Sequence, residues 1–360
     1  MIEELQVLEK THTWHLVDLP RGKFAIGCKW VYKIKTKSDD TIEWYKARLV
    51  AKGYAQEYGI DYEETFAHVT CITSVRNFLA IAAVHQHLQV IQTVLTRFAF
   101  FVALLYGLKQ APRVWFAKFS SIVHQFGFSF SPHDIALFIC RSDKGIILLL
   151  LYVDDMIITR DDHFGISNFK QFLHQHFEMK DLGHLSYFLG IEVSSNSTGY
   201  YLSQAKYASD LLSRAGLTNT KVVSTPLEMN ARLTPLDDTP LNDATLYLIH
   251  ILRYIKGTMF HGLHFSAHST LDLCAYSDAD WARDPTDRRF TTGFCFFLGD
   301  SLISWRSKKQ HIVSRSSTEA EYRALADTTF ELLALRWLLE DMGLTHFSPT
   351  VIHCDNRSAI

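Results

Sequence analysis

Two short apolar runs lie between Gly145 and Thr159, and the adjacent carboxylates Asp154 and Asp155 separate them. Runs of this length and composition predict two buried β-strands joined by a tight turn. Neighbouring carboxylates at such a turn repel each other and are costly to remove from water, and a divalent cation would offset both costs. Carboxylate oxygens are the hard ligands that Mg²⁺ takes. The alternative is a polar hairpin turn, because Asp is common in turns.

Composition sets the broad class of the protein. The 360 residues allow two or three domains, and 48% hydrophobic with 21% charged residues is ordinary for a globular core. With 36 Lys and Arg against 38 Asp and Glu, the overall charge gives no signal for nucleic acid, so any basic surface must be local. The six Cys form no Cys-x-x-Cys pair, which indicates buried thiols in a reducing compartment rather than a zinc site.

The N-terminus shows no signal-peptide pattern, and the longest apolar runs, residues 98–106 and 146–153, are too short to cross a bilayer. We therefore expect an intracellular protein, cytoplasmic or nuclear, with no membrane partner.

Periodicity and turn residues predict the remaining elements. The first part begins with a basic hairpin, with strands at 30–35 and 45–52 and a turn at 38–40. Two helices follow, one at 114–126 closed by Gly127 and one at 206–215 closed by Gly216. A connection rich in Thr, Pro and Asp occupies 218–245. The last part contains strands at 271–276, 291–298 and 302–305, a further strand at 311–314, a helix at 319–342 and a final strand at 349–354.

Three carboxylates in the last part stand at element ends. Asp278 follows the first strand, Glu321 lies in the first turns of the long helix, and Asp355 ends the final strand. If these ends meet at one edge of a sheet, they form a divalent-metal site suited to phosphodiester hydrolysis. Each residue also has a structural explanation. Ser316 with Glu319, or Thr318 with Glu321, forms a capping box, and the two Asp residues fit turns or caps.

Several motifs together resemble the Pol polyprotein of copia-type LTR retrotransposons. Residues 45–53, 61–67, 106–113 and 152–155 are similar to its reverse transcriptase motifs, over most of residues 14–230. The segment Ser-Ser-Thr-Glu-Ala-Glu-Tyr at 316–322 resembles its ribonuclease H region, over about residues 270–360.

The resemblance implies an α/β (α+β) fold. A remnant like the fingers and palm of reverse transcriptase would occupy residues 1–230, a connection 231–269, and a C-terminally truncated, ribonuclease H-like mixed-sheet domain 270–360. It also implies RNA-directed DNA synthesis and removal of RNA from the hybrid. The expected partners are RNA template, DNA primer, RNA–DNA hybrid and dNTP, with Mg²⁺ or Mn²⁺ as cofactor.

The resemblance assigns roles to individual residues. The metal ligands and catalytic residues would be Asp154, Asp155, Asp278, Glu321 and Asp355. The residues near nucleotide and nucleic acid would be Lys46, Arg48, Gln110 and Lys180, the last as a proton donor to pyrophosphate. A solvated surface charge is the alternative for each of these cations.

The sequence also departs from the family. The family's palm has a further Asp, upstream of the segment at 106–113, that would bridge two metal ions, but no Asp or Glu occurs between Glu64 and Asp134. This absence indicates a deletion near 90–105, and a second one is indicated near 247–248. The fourth acidic residue of the ribonuclease H site would lie beyond Ile360.

We therefore expect impaired polymerase activity. One alternative is a non-catalytic, nucleic-acid-binding relic, and another is a chain that does not fold stably. The binding relic would use a basic surface of Lys33, Lys35, Lys46, Arg48, Lys52, Lys308 and Lys309.

Overall fold

The structure is a computed structural model that describes residues 18, 25–36, 41–85, 88–93, 107–153, 155–159, 163–177, 179–227, 244–282 and 286–359. Its mixture of helices and mainly antiparallel strands confirms the predicted α/β class. The strands are β1 Cys28–Thr36, β2 Ile42–Ala51, β3 Leu88–Thr93, β4 Ser129–Phe130, β5 Leu137–Ser142, β6 Gly145–Tyr152, β7 Asp155–Thr159, β8 Met179–Gly183, β9 Tyr187–Phe188, β10 Ile191–Asn196, β11 Gly199–Ser203, β12 Leu263–Ser266, β13 Leu273–Asp280, β14 Thr291–Leu298, β15 Ser301–Lys309 and β16 Val351–His353. The helices are α1 Ile72–His85, α2 Ala111–Gln125, α3 His163–His176, α4 Ala205–Arg214, α5 Ala244–Thr258 and α6 Ser317–Asp341.

Most elements predicted from the sequence are present. The basic hairpin, the helices closed by Gly127 and Gly216, the apolar strand pair and the long C-terminal helix all form within a few residues of their predicted bounds. The strand predicted at 311–314 is wrong, because β15 ends at Lys309 and the following residues form no strand. The predicted turn at 38–40 and most of the connection, residues 228–243, lie outside the described residues.

The chain divides into two compact units. The first comprises Met1–Cys71 and Gln89–Gly183, and the second comprises Ile72–Leu88 and His184–Ile360. The domain bounds predicted at residues 230 and 270 follow the family resemblance rather than packing, and they remain a prediction. Among the described helices, none combines the length and the apolar composition that a bilayer span requires.

The first unit holds the β1–β2 hairpin and a six-stranded sheet in the order β4-β5-β6-β7-β3-β8. The apolar strand β6 is buried from Ile146 to Leu151, as expected for a central strand covered on both faces. Trp115 and Phe119 of α2 pack with Phe138 and Phe177 beside this sheet. This packing places α2 against β6 and β7, and β7 begins at Asp155.

The second unit holds two four-stranded sheets, in the orders β12-β11-β10-β9 and β15-β14-β13-β16. In the latter, β13, β14 and β15 are antiparallel, while β16 runs parallel to β13. Helix α6 packs on β13 and β14, and Thr328 of α6 donates a buried 3.0 Å hydrogen bond to Ser277 of β13. The parallel pairing brings the ends of β13 and β16 to the same edge of the sheet.

The start of α6 is fixed by a side-chain cap. Ser316 Oγ accepts a hydrogen bond from Glu319 N–H at 3.1 Å, and Glu319 in turn accepts from Arg315 N–H at 2.8 Å. These bonds satisfy backbone donors that the first helical turn leaves open. The capping explanation therefore applies to Glu319, whereas Glu321 has a different environment.

Candidate active sites

The turn between β6 and β7 carries the paired carboxylates of the first unit. Tyr152 pairs with Asp155, so only Val153 and Asp154 connect the strands, and Asp154 lies outside the described residues. Val153 has a φ of 52°, in the left-handed region that β-branched residues avoid. Its carbonyl accepts a 2.8 Å hydrogen bond from the indole N–H of Trp115, which is 4% exposed. Trp115 therefore stabilises the turn that positions Asp155.

The strand beside β7 supplies no second carboxylate. The sheet order places β3 between β7 and β8, and β3 has the sequence Leu-Gln-Val-Ile-Gln-Thr. A two-metal site for phosphoryl transfer needs ligands that bridge both ions. The sequence has no Asp or Glu in β3 or anywhere else from Thr65 to His133. Within this stretch, residues 94–106 lie outside the described part of the chain.

Gln110 belongs to a hydrogen-bonded network with the end of the basic hairpin. Its Oε1 accepts a 2.9 Å hydrogen bond from Gln56 Nε2, while Gln56 Oε1 accepts from Lys109 N–H at 2.8 Å. The two segments also meet at glycines, since a Cβ on Gly53 would lie 1.9 Å from the carbonyl oxygen of Gly107. Only small residues permit this approach, and it holds Gln110 beside the hairpin.

The cations predicted near nucleotide occupy separate places on the first unit. Arg48 is half-buried on β2, opposite Val31 of β1. Lys46 is opposite Lys33 in the same hairpin, and Lys180 lies on β8, but the side chains of Lys46 and Lys180 lie outside the described residues. The roles predicted for these residues, and for Gln110, remain predictions.

Of the three carboxylates predicted for the site of the second unit, the structure groups Glu321 with Asp355, and Asp278 lines the cleft beside them. Asp278 is near the end of β13, Glu321 is in the first turns of α6, and Asp355 follows β16. The ligand atoms of Glu321, Asp355 and the intervening Cys354 all lie within 4.8 Å of one another. Asp278 is close enough for its charge to act on Glu321.

Glu321 is the buried member of this group. It is 4% exposed, and its Oε1 accepts a 3.3 Å hydrogen bond from Ala279 N–H, while Cys354 Sγ donates to Oε2 at 3.8 Å. Burial, followed by the charges of Asp278 and Asp355, raises the pKa of Glu321 above its ordinary value, and the two hydrogen bonds oppose this shift. The site thus holds a carboxylate whose negative charge is poorly compensated.

The donor set fits a divalent cation. Asp278, Glu321 and Asp355 offer hard oxygen atoms, the ligand type that Mg²⁺ and Mn²⁺ prefer. A cation would balance the buried charge of Glu321 and the repulsion from its two neighbours. The residues that are present therefore fit the metal that the family resemblance implies.

A cleft of 580 Å³ opens beside this group on the sheet. Asp278 and Asp355 line it, together with the aromatic side chains of Tyr276, Trp305 and His353. The rings of Tyr276 and His353 stack with centroids 4.7 Å apart. The cleft therefore combines flat ring surfaces with the carboxylates, an arrangement that can accept sugars and bases next to a phosphate.

Comparison with known proteins decides the family. A family model described as reverse transcriptase (RNA-dependent DNA polymerase) matches residues 11–103 and 100–229. The chain belongs to the reverse transcriptase family. The resemblance to retrotransposon Pol polyproteins is thereby confirmed. The Tyr-Val-Asp-Asp segment at residues 152–155 lies within the residues that the family model matches.

Several relatives of this reverse transcriptase-family chain come from plants. The retrovirus-related Pol polyprotein from transposon RE1 of Arabidopsis thaliana is 37% identical over 424 residues, which cover all of this chain and 29% of the relative. That from transposon TNT 1-94 of Nicotiana tabacum is 35% identical over 435 residues, covering all of this chain and 32% of the relative. An uncharacterised mitochondrial protein of Arabidopsis thaliana is 40% identical over 221 residues, covering 51% of this chain and 92% of that protein.

These alignments bear on the deletion that the sequence predicts near residues 90–105. The chain spans less than a third of each polyprotein, yet both alignments are longer than its 360 residues, so the relatives contain residues with no counterpart here. The two family matches meet at residues 100–103, within the segment where the sequence indicates a deletion.

Sequence reasoning missed three residues at these sites. Gln56 contacts Gln110, which lies 54 positions along the chain, and Trp115 contacts Val153, which lies 38 positions along the chain. No local sequence pattern reveals contacts between residues so far apart. Cys354 directly precedes Asp355, but a single Cys next to a predicted ligand is no signal without the fold. Its Sγ position beside Glu321 is visible only in the structure.

Proposed function

We propose that the second unit cleaves the RNA strand of RNA–DNA hybrids with a divalent metal, and that the first unit binds nucleic acid without extending a primer. The observation that carries the first part is the position of Glu321, buried with its charge poorly compensated beside Asp278 and Asp355. Buried carboxylates without cationic partners are costly, and such sites are preferentially functional. The mixed sheet with α6 packed on it supports a ribonuclease H-like assignment for this unit.

The roles of the residues follow from their places. Asp278, Glu321 and Asp355 would hold Mg²⁺ or Mn²⁺, which when bound supplies an activated water and offsets charge at the phosphate. Ala279 N–H orients Glu321 through its hydrogen bond to Oε1. The stacked rings of Tyr276 and His353 offer a surface for sugars and bases of the hybrid within the same cleft.

Hybrid cleavage by the full chain in Mg²⁺ or Mn²⁺ tests this proposal. We expect slow cleavage that is lost in Asp278→Asn and in Glu321→Gln. Asp300→Asn is the matched control, because Asp300 is an exposed carboxylate in the β14–β15 turn of the same sheet. Cleavage at an equal rate in wild type and in Asp278→Asn would show that the site assignment is wrong.

A second candidate is a protein that binds nucleic acid without any chemistry. The register of the β1–β2 hairpin favours it, because Lys33 lies directly opposite Lys46 and Lys29 is exposed nearby. Like charges in opposed positions destabilise a hairpin, and a polyanion relieves the repulsion. Binding through phosphates should weaken steeply with salt, whereas a dissociation constant that stays constant across a salt titration would contradict this candidate.

A further inference from the structure

A thiol lies among the carboxylates of the second unit. Cys354 Sγ is 3.8 Å from Glu321 Oε2, and the ligand atoms of Glu321, Cys354 and Asp355 are mutually within 4.8 Å. In a tetrahedral zinc site, a sulfur and an oxygen ligand are about 3.6 Å apart, given metal distances of roughly 2.3 and 2.1 Å. The observed separation of Sγ and Oε2 is close to this spacing, so one ion can contact both atoms.

The backbone holds these donors in place. Cys354 directly follows β16, whose parallel register pairs Tyr276 with His353. Glu321 is fixed by α6 and by the hydrogen bond from Ala279 N–H. Cys354 and Asp355 both line the 580 Å³ cleft, so an ion from solvent has access to them. The group is therefore arranged before any metal arrives.

The chemistry of a mixed donor set differs from that of carboxylates alone. Mg²⁺ takes oxygen ligands, whereas thiolates select Zn²⁺ and similar ions. We propose that Cys354 is a metal ligand that gives this site a preference for Zn²⁺ and Co²⁺ over Mg²⁺. The inference rests on the proposed carboxylate metal site, to which it adds one ligand.

Binding has a defined balance and a consequence. The Cys354 thiol releases its proton to solvent as the sulfur–metal bond forms, and no oxidation state changes. A Zn²⁺ ion held by Glu321, Cys354 and Asp355 occupies carboxylates that hybrid cleavage needs for Mg²⁺. Zn²⁺ should therefore inhibit cleavage in Mg²⁺ through Cys354.

Cobalt spectroscopy on the full chain tests the ligand directly. Co²⁺ should produce a sulfur-to-metal charge-transfer band that Cys354→Ser abolishes. Zn²⁺ affinity should fall in the same variant by at least the roughly 10- to 100-fold typical of losing a supporting partner. Mn²⁺ binding, followed by electron paramagnetic resonance, should change little. The matched control is Cys274→Ser with Cys295→Ser, since these half-buried thiols of the same sheet should leave the band intact.

The outcomes separate the inference from the proposed function. A band and a Zn²⁺ affinity that persist in Cys354→Ser overturn the inference. Mn²⁺ binding without a cobalt band overturns it too, while the carboxylate site stands. A Cys354-dependent band without Mn²⁺ binding supports the inference and counts against hybrid cleavage. If Cys354→Ser does not fold, alkylation of wild type decides, because Zn²⁺ should protect Cys354 from iodoacetamide and unprotected labelling refutes the ligand.

Discussion

The indole N–H of Trp115 donates a 2.8 Å hydrogen bond to the carbonyl oxygen of Val153, and this bond ties α2 to the turn beside Asp155. Val153 adopts a left-handed backbone there, so the turn depends on outside support. Trp115→Phe keeps a ring in the core but removes the donor and part of its volume. We expect a loss of about 1–2 kcal/mol in the free energy of unfolding, measured by chemical denaturation.

Trp281→Phe is the matched control for that change. Trp281 also donates a 2.8 Å indole hydrogen bond, to the carbonyl oxygen of Ser314, but it is 43% exposed, so water replaces the bond at little cost. Equal destabilisation by both substitutions would show that burial of the Trp115 bond has no special role in holding the turn.

The sequence predicts those elements whose own residues determine them. The strand pair between Gly145 and Thr159 is apolar enough to be buried wherever it packs, and Ser316 begins α6 through a local cap. The false strand at 311–314 contains Ile312 and Val313, which favour strands, but both are exposed and none of the described strands pairs with them. The hydrogen bond between Gln56 and Gln110 depends on tertiary packing, which periodicity does not report.

Gly53 has no room for a side chain. Its ideal Cβ would lie 1.9 Å from the backbone oxygen of Gly107, which cannot rotate away. Gly53→Ala should therefore destabilise the first unit by about 1–3 kcal/mol, the usual cost of overpacking, in a denaturation experiment. Gly27→Ala is the control, because its Cβ would meet only the flexible side chain of Lys52 at 3.4 Å. A Gly53→Ala protein as stable as wild type would disprove the close approach.

Removing the charge of Glu321 should have opposite effects with and without metal. In a chelator, Glu321→Gln removes a buried charge that Asp278 and Asp355 repel, so the free energy of unfolding should rise by about 1 kcal/mol, a size common for single substitutions. With excess Mn²⁺, wild type should gain stability by binding the ion, while the variant should gain much less. Thermal unfolding in both conditions checks this, and an equal gain from Mn²⁺ in both proteins would contradict a ligand role for Glu321.

The chain should not extend a primer, although Tyr152, Val153, Asp154 and Asp155 are present. The two Asp residues can hold one Mg²⁺ together with substrate phosphates, but the second ion needs a bridging carboxylate from a neighbouring strand. That neighbour is β3, which has none, and Arg97 is the nearest charged residue that follows it, with a charge that repels a cation. Phosphoryl transfer depends on holding both ions close together, so loss of the bridge should abolish synthesis rather than slow it slightly.

Template-directed extension by purified protein, if Asp154→Asn removed it, would refute this expectation. Insertion of the family's Asp-containing segment between Val90 and Leu105 should restore some extension, and the same insert with Asn in place of that Asp should not.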